Sequence, residues 1–269
     1  MRETLIRTAS GLIYIFLLIG ATLYSSATFQ VLFGILMLIS IYEYCRLIKT
    51  SIWVPMFVGA LLYSLFSLIS KNSVTSILIL IPTLYFSVNT MILLFKNDMA
   101  ELVGDQKLRS VGNYIILPFI IIAQIPFEAD FYNPKIIISI FILIWINDTF
   151  AYIVGKTIGK NKLFESISPK KTIEGFIGGL GFAMLGGLLL SQYYLHQPYL
   201  IWVIIALIIA IFGTIGDLIE SRFKRIAKVK DSGKIMPGHG GILDRLDSII
   251  FAAPFVFLFF QILNLLARF

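Results

Sequence analysis

The chain has 269 residues, 58% of them apolar and 14% charged, and a mean hydropathy of +0.90. This balance excludes a water-soluble globular domain and a disordered chain, so the length must be spent on membrane spans. Lys and Arg number 22 against 15 Asp and Glu, a net charge of +7. A nucleic-acid partner is nonetheless set aside, because the basic residues lie beside apolar runs, where anionic lipid headgroups are nearer.

Nine apolar segments are long enough to cross a hydrocarbon core of about 30 Å. They lie near residues 5–24, 28–48, 52–70, 74–95, 110–126, 135–155, 174–195, 199–219 and 248–267. The expected fold class is therefore all-α, a polytopic integral membrane protein of about nine transmembrane helices. No small-residue cleavage signature follows the first apolar run, which is read as a retained span. Lys and Arg in short loops accumulate on the cytoplasmic side. With the N-terminus inside, all of the 22 basic residues except Lys71, Lys135 and Arg268 fall on that side. This sets the C-terminus outside and the charged loops 156–173 and 220–247 in the cytoplasm. Residues 1–110 read as scaffold helices, and 111–269 as the region that carries chemistry. The lone Cys45 excludes an intramolecular disulfide.

Glu43 is the first acid set in an apolar span. Arg46 three residues later shares its helix face, so an ion pair at the membrane edge is the favoured reading. Asp148 lies within IIISIFILIWINDTFAYIVG, where a carboxylate costs about 2.5–3.5 kcal/mol on insertion scales. It is expected to face a polar cavity, with Asn147, Thr149 and Tyr152 giving the inner end of that helix a polar side. GKTIGK, residues 155–160, looks like a phosphate-binding loop but fails as one. Three residues rather than four separate Gly155 from Gly159, and Asn161 follows Lys160 where Ser or Thr is needed. In SPKKTIEG, residues 168–175, Ser168 and Pro169 are expected to start a short turn. Lys170 and Lys171 there either offer mobile charges to a phosphate or anchor the membrane face. Gly175, Gly179, Ala183 and Gly187 stand at spacing four, a smooth stripe widened by Gly178, Gly181 and Gly186. Such a stripe serves close helix packing within the chain, or a dimer interface.

Charge concentrates between Gly216 and Asp247. Asp217, Glu220, Asp231, Asp244 and Asp247 stand there among Arg222, Lys224, Arg225, Lys228, Lys230, Lys234 and Arg245. Asp217 and Glu220 share a face at spacing three, and Asp244 and Asp247 repeat that spacing leading into the last span. Two such pairs suit Mg²⁺, which takes carboxylate oxygens, keeps some waters and accepts substrate phosphates. Ion pairing with the neighbouring Lys and Arg is the alternative. Gly238, Gly240 and Gly241 flank His239 directly after Pro237, which implies a backbone of defined shape. His239 is not read as a zinc ligand, since the other histidine is the distant His196 and no Cys stands near. It positions a phosphate or shapes the turn.

Ser221, Lys224-Arg225, Lys230-Asp231, Pro237-Gly238-His239-Gly240-Gly241, Asp244-Arg245 and Asp247 together form a specific pattern. On these residues the chain resembles the phosphatidate cytidylyltransferases, also called CDP-diacylglycerol synthases. Asp148-x-x-Ala151-Tyr152-x-x-Gly155 and SPKKTIEG extend the resemblance across the C-terminal half, while the N-terminal half shares only hydropathy. Lys156 stands where the family has Arg and Met236 where Leu, Ile or Phe is usual; neither departure removes a charge.

The resemblance implies transfer of a cytidylyl group from CTP to phosphatidate, giving CDP-diacylglycerol and pyrophosphate. It implies a Mg²⁺-dependent helical homodimer in the bacterial inner membrane, surrounded by membrane lipids, with its active site toward the cytoplasm. Asp217 and Asp244 become the metal-holding carboxylates, with a second, monovalent cation such as K⁺ beside the Mg²⁺. Lys224, Arg225, Arg245 and Asp247 join them as catalytic groups. Asp148, Ser168, Lys170, Lys171, Glu220, Ser221, Lys230, Asp231, His239, Gly240 and Gly241 are expected to bind substrate. An ion-coupled transporter would also explain Asp148 and the paired carboxylates, but it predicts inverted repeats that the two halves lack. A CTP-dependent enzyme acting on another lipid, such as a polyprenol kinase, fits the pattern less fully.

Overall fold

The structure, a computed structural model, describes residues 2–69, 73–96, 99–128 and 131–266. Lys71 and Arg268, two of the basic residues placed outside, lie beyond the described residues. Helices α1 (Arg2–Tyr24) and α2 (Ser26–Leu47) meet at Ser25. Its hydroxyl accepts from the Thr28 N–H at 3.1 Å, while Thr28 Oγ1 accepts from the Ser25 N–H at 3.1 Å. That reciprocal cap ends one helix and starts the next within a single residue. Helix α3 (Trp53–Tyr63) runs on into a π-helical stretch, Ser64–Ile69, and α4 spans Ser73–Phe95. Helix α5 (Asp105–Ser110), a second π-helical stretch (Val111–Ile116) and α6 (Leu117–Gln124) follow one another without a break.

Two short antiparallel strands, β1 (Phe127–Glu128) and β2 (Phe131–Tyr132), precede α7 (Pro134–Ile158). An antiparallel hairpin pairs β3 (Lys162–Phe164) with β4 (Ser168–Thr172), setting Lys162 opposite Thr172. Helix α8 (Ile173–Leu190) with its π-helical end (Ser191–Leu195), α9 (Tyr199–Ile226) and α10 (Leu243–Leu266) complete the chain.

Among the described residues the fold is thus all-α apart from two pairs of short antiparallel strands. Among the described residues six helices are long and apolar enough to cross a membrane: 26–47, 75–95, 134–158, 173–195, 199–226 and 243–266. Thr8–Tyr24 and Trp53–Ser67 are shorter apolar helices. The segment expected at 110–126 falls on the interrupted rod of α5, the π-helical stretch and α6. Phe16, Phe57, Leu78 and Ile81 point outward, a surface suited to hydrocarbon rather than water.

Two close crossings fix the C-terminal helices. A Cβ added to Gly175 would stand 2.6 Å from the Ala151 carbonyl oxygen, and one on Gly179 2.7 Å from that of Asn147. One on Gly187 would stand 2.5 Å from the Trp202 carbonyl, and Ala183 between them is fully buried. The small-residue stripe therefore packs α8 onto α7 and the start of α9. Gly181, expected to widen it, faces open space. At the second crossing Gly216 admits α10, because a Cβ there would meet Phe251 at 2.6 Å and the Asp247 carbonyl at 2.7 Å. Phe212 and Phe255 stack nearby at 3.6 Å. The N-terminal half is joined to this unit through Tyr44 of α2, Tyr114 and Phe223 of α9, whose ring centroids lie 5.3 to 5.5 Å apart.

Candidate active site

The expected loop 220–247 is largely helical at both ends. Helix α9 continues to Ile226, seven residues past the expected span end, and α10 begins at Leu243, leaving 227–242 as the loop. The extension is supported by i,i+4 pairs: Ser221 Oγ donates to Asp217 Oδ1 at 3.2 Å, and the Lys224 ammonium pairs with Glu220. Lys224 also bridges to Asp244 Oδ1 at 2.6 Å. Glu220 is fully buried, and the Lys224 ammonium at its Oε2 is the one partner described for it. Asp247, buried at the crossing, accepts from the Ser248 N–H at 2.7 Å.

Asp244 organises the loop. Its Oδ2 accepts from the Ser232 N–H at 2.9 Å, the Ser232 hydroxyl at 3.0 Å and the Gly241 N–H at 2.7 Å. Gly240 has φ +87, and a Cβ there would stand 2.6 Å from Asp244 Oδ2 and 3.4 Å from the Asp231 Cβ. Only glycine adopts that conformation without strain and leaves that space. His239 lies within the turn, its N–H donating to the Met236 carbonyl at 2.9 Å. Its Nδ1 meets Ser10 Oγ of α1 at 2.8 Å, and the same hydroxyl donates to the Pro237 carbonyl at 3.0 Å.

The β3–β4 hairpin delivers the lysines. Ser168 and Pro169 begin strand β4 rather than a turn, because their segment pairs with β3. Thr172 ends that strand and caps α8, accepting from the Gly175 N–H at 3.1 Å. One residue before it, Lys171 reaches Asp217 Oδ2 at 2.5 Å. Lys170 is exposed. Glu174 accepts from the Lys160 and Asn161 N–H groups at 3.1 and 3.2 Å, so that backbone is not free to cradle a phosphate. Asp148 accepts from Asn147 at 3.3 Å and lies within electrostatic reach of Asp217, Lys171 and Arg245.

Other expected site residues are arranged differently. Arg225 donates to the carbonyls of Ile167 and Val229 at 3.4 and 3.3 Å, and Arg245 to the His239 carbonyl at 2.8 Å. Both guanidinium groups thus brace backbone at the rim. Lys230 and Asp231 are exposed on the loop.

The expected Glu43–Arg46 edge pair is not formed. Arg46 donates to the Tyr42 hydroxyl at 3.1 Å and lies over that ring, whereas Glu43 is 1% exposed and turned inward. Its Oε1 accepts from the Ile242 N–H at 3.2 Å, and its Oε2 from the Leu243 N–H at 2.8 Å and the Ser232 hydroxyl at 3.3 Å. The orphan N–H groups at the start of α10 attract it more strongly than a solvated guanidinium. Ser10 and Glu43 therefore enter the site from the expected scaffold half.

The carboxylate group fits a hard divalent cation. Oxygens of Asp217, Glu220 and Asp247 lie within 4.8 Å of one another. Asp244 Oδ1 borders them through the shared Lys224 ammonium. The ligand atoms are all oxygen, Glu220 Oε1 has no hydrogen-bond donor, and negative charge exceeds the two ammonium groups present.

Residues 5–263 match the cytidylyltransferase family. The chain is similar to the phosphatidate cytidylyltransferase of Staphylococcus aureus (strain COL), 52% identical over 120 residues, which cover 44% of this chain and 46% of that protein. The phosphatidate cytidylyltransferase of Bacillus subtilis (strain 168) is 47% identical over 131 residues, covering 48% of this chain and 49% of the relative. The chain thus spans about half the length of the curated relatives it matches.

Proposed function

We propose, because this chain belongs to the cytidylyltransferase family, that it transfers the cytidylyl group of CTP to phosphatidate at the crossing of α9 and α10. The relatives named above carry that activity in their names. The observation that carries the reading is the convergence of Asp217, Glu220 and Asp247 within 4.8 Å, directly beside a loop tied down by Asp244.

In the proposed reaction an oxygen of the phosphatidate phosphate, already ionised at neutral pH, attacks the α-phosphorus of CTP. A phosphorus–oxygen bond forms there as the bond from the α-phosphorus to the bridging oxygen breaks, and pyrophosphate leaves with the electron pair. No strong general base is required. The task of the protein is to bring two polyanions together and to stabilise charge on the transferring and leaving groups. Lys171 and Lys224 stand among the carboxylates for this, with Lys170, Arg225, Lys230 and Arg245 around the rim. Mg²⁺ held by Asp217 and Asp244, with Glu220 and Asp247 adjoining, would supply further charge neutralisation at the phosphates. Asp148, with Glu220 and Asp247, would support these ligands or a second cation such as K⁺. Ser168, Ser221, Asp231, His239, Gly240 and Gly241 complete the substrate-binding surface.

An apolar groove of about 540 Å³ runs between α1 and α2 and ends under Met236, Pro237 and Ile242. It suits the acyl chains of a lipid whose phosphate lies at the loop, while CTP arrives from water. The proposed topology is nine spans with the N-terminus inside and the C-terminus outside, in the bacterial inner membrane. The site then faces the cytoplasm, and the protein is a homodimer.

The test is pyrophosphate release by the detergent-purified protein. Release that needs CTP, phosphatidate and Mg²⁺ together, with CDP-diacylglycerol as product, is expected. No release from a folded, monodisperse preparation supplied with K⁺ would overturn the assignment.

A further inference from the structure

We infer that Glu43 is a positioning residue, which holds the 232–243 segment so that Asp244 is presented to the carboxylate cluster. The inference rests on the reading of Asp217 and Asp244 as cation ligands. Glu43 touches neither the cluster nor its lysines among the described contacts. Its partners are Ile242, Leu243 and Ser232, some 190 to 200 residues away in sequence.

The loop is built around this carboxylate. A Cβ on Gly233 or Gly241 would run into the Glu43 carboxylate itself. Ser232 connects the two acids, since its hydroxyl lies 3.3 Å from Glu43 Oε2 and 3.0 Å from Asp244 Oδ2. All three donors to Asp244 Oδ2 come from Ser232 and Gly241, so the loop position decides where Oδ1 points. That oxygen faces Lys224 and, through it, Glu220. Glu43 also offsets the partial positive charge at the start of α10, one residue before Asp244. A buried carboxylate without a cationic partner is otherwise a poor stabiliser.

The experiment is a Mn²⁺ titration of the full chain in detergent, read as the rise in melting temperature, alongside the Mg²⁺ dependence of pyrophosphate release. In Glu43→Gln the amide nitrogen faces a backbone N–H and the clamp opens. Groups that orient metal ligands are worth about 10- to 100-fold in metal affinity, so the Mn²⁺ midpoint is expected to rise about tenfold or more. The Mg²⁺ requirement should rise in parallel. Ser232→Ala, which keeps the helices intact, is expected to shift both in the same direction by less. A Glu43→Gln protein that melts lower yet keeps the wild-type Mn²⁺ midpoint would reduce Glu43 to a helix cap. If Glu43→Gln does not fold, an unchanged midpoint in Ser232→Ala overturns the inference. A wild-type protein whose melting ignores Mn²⁺ removes the cation reading first, and this inference with it.

Discussion

Replacing Lys224 by Met keeps most of the side-chain volume and removes the ammonium that Glu220 and Asp244 share. Glu220 is 0% exposed and Lys224 is the one partner described for it, so it would be left buried and uncompensated. The Lys224 side chain is only 11% exposed, which leaves little room for water to take its place. Removing one member of a buried pair typically costs about 3–5 kcal/mol. With about 2–4 °C of melting temperature per kcal/mol for a chain of this order, the fall should be roughly 6–20 °C. Neutralising the orphan in Glu220→Gln/Lys224→Met should return about 0.5–3 kcal/mol of it, the usual range of coupling between contacting groups. Tryptophan-detected melting in detergent with EDTA, which keeps cations from compensating, measures both effects. A Lys224→Met protein that melts within about 2 °C of the parent, or a double variant as unstable as the sum of its parts, would refute the pairing.

Asp217→Asn is expected to abolish pyrophosphate release while the protein remains folded and monodisperse; near-normal turnover would remove Asp217 from the cation role. Gly240→Ala should fold but lose about 100-fold in turnover, since its Cβ displaces Asp244 and small misplacements in such sites are that damaging. Lys171→Ala should lower kcat/KM by about tenfold or more, whereas Lys170→Ala, whose ammonium is exposed, should lose only about two- to threefold. Equal losses in the two variants would argue against a special role for the Lys171–Asp217 pair. Both are read by initial rates over a CTP series.

Hydropathy placed six of the nine expected segments on helices that are long and apolar enough to cross a membrane among the described residues, because long apolar runs leave the backbone few alternatives in lipid. It located their ends poorly. The charges of Glu220 and Lys224 look like a loop until their i,i+4 geometry is seen, and only then does α9 extend through them. The hairpin around Ser168 had no alternating pattern to announce it, and the pairing of Lys162 with Thr172 depends on a partner strand. Of the site, the spacing of Asp217 with Glu220 and of Asp244 with Asp247 marked the two acid pairs, and the structure brings Asp217, Glu220 and Asp247 together within 4.8 Å. Glu43 was misread because Arg46 offered a local partner, while its real donors are backbone N–H groups that no side-chain pattern marks. The available signal was the acid itself, set in an apolar span where an edge pair would be weak.

The clamp between Glu43 and the start of α10 also imposes an order in time. Its donors at Ile242 and Leu243 are made 199 and 200 residues after the carboxylate they serve. At about 5–20 residues per second, some 10–40 s of synthesis separate the two. Through that interval α2 is complete but its acid has no backbone donors from the last helix, and Arg46, one turn along, is the nearest cation within the same helix. The native contact therefore forms only late in assembly, when the final helix arrives.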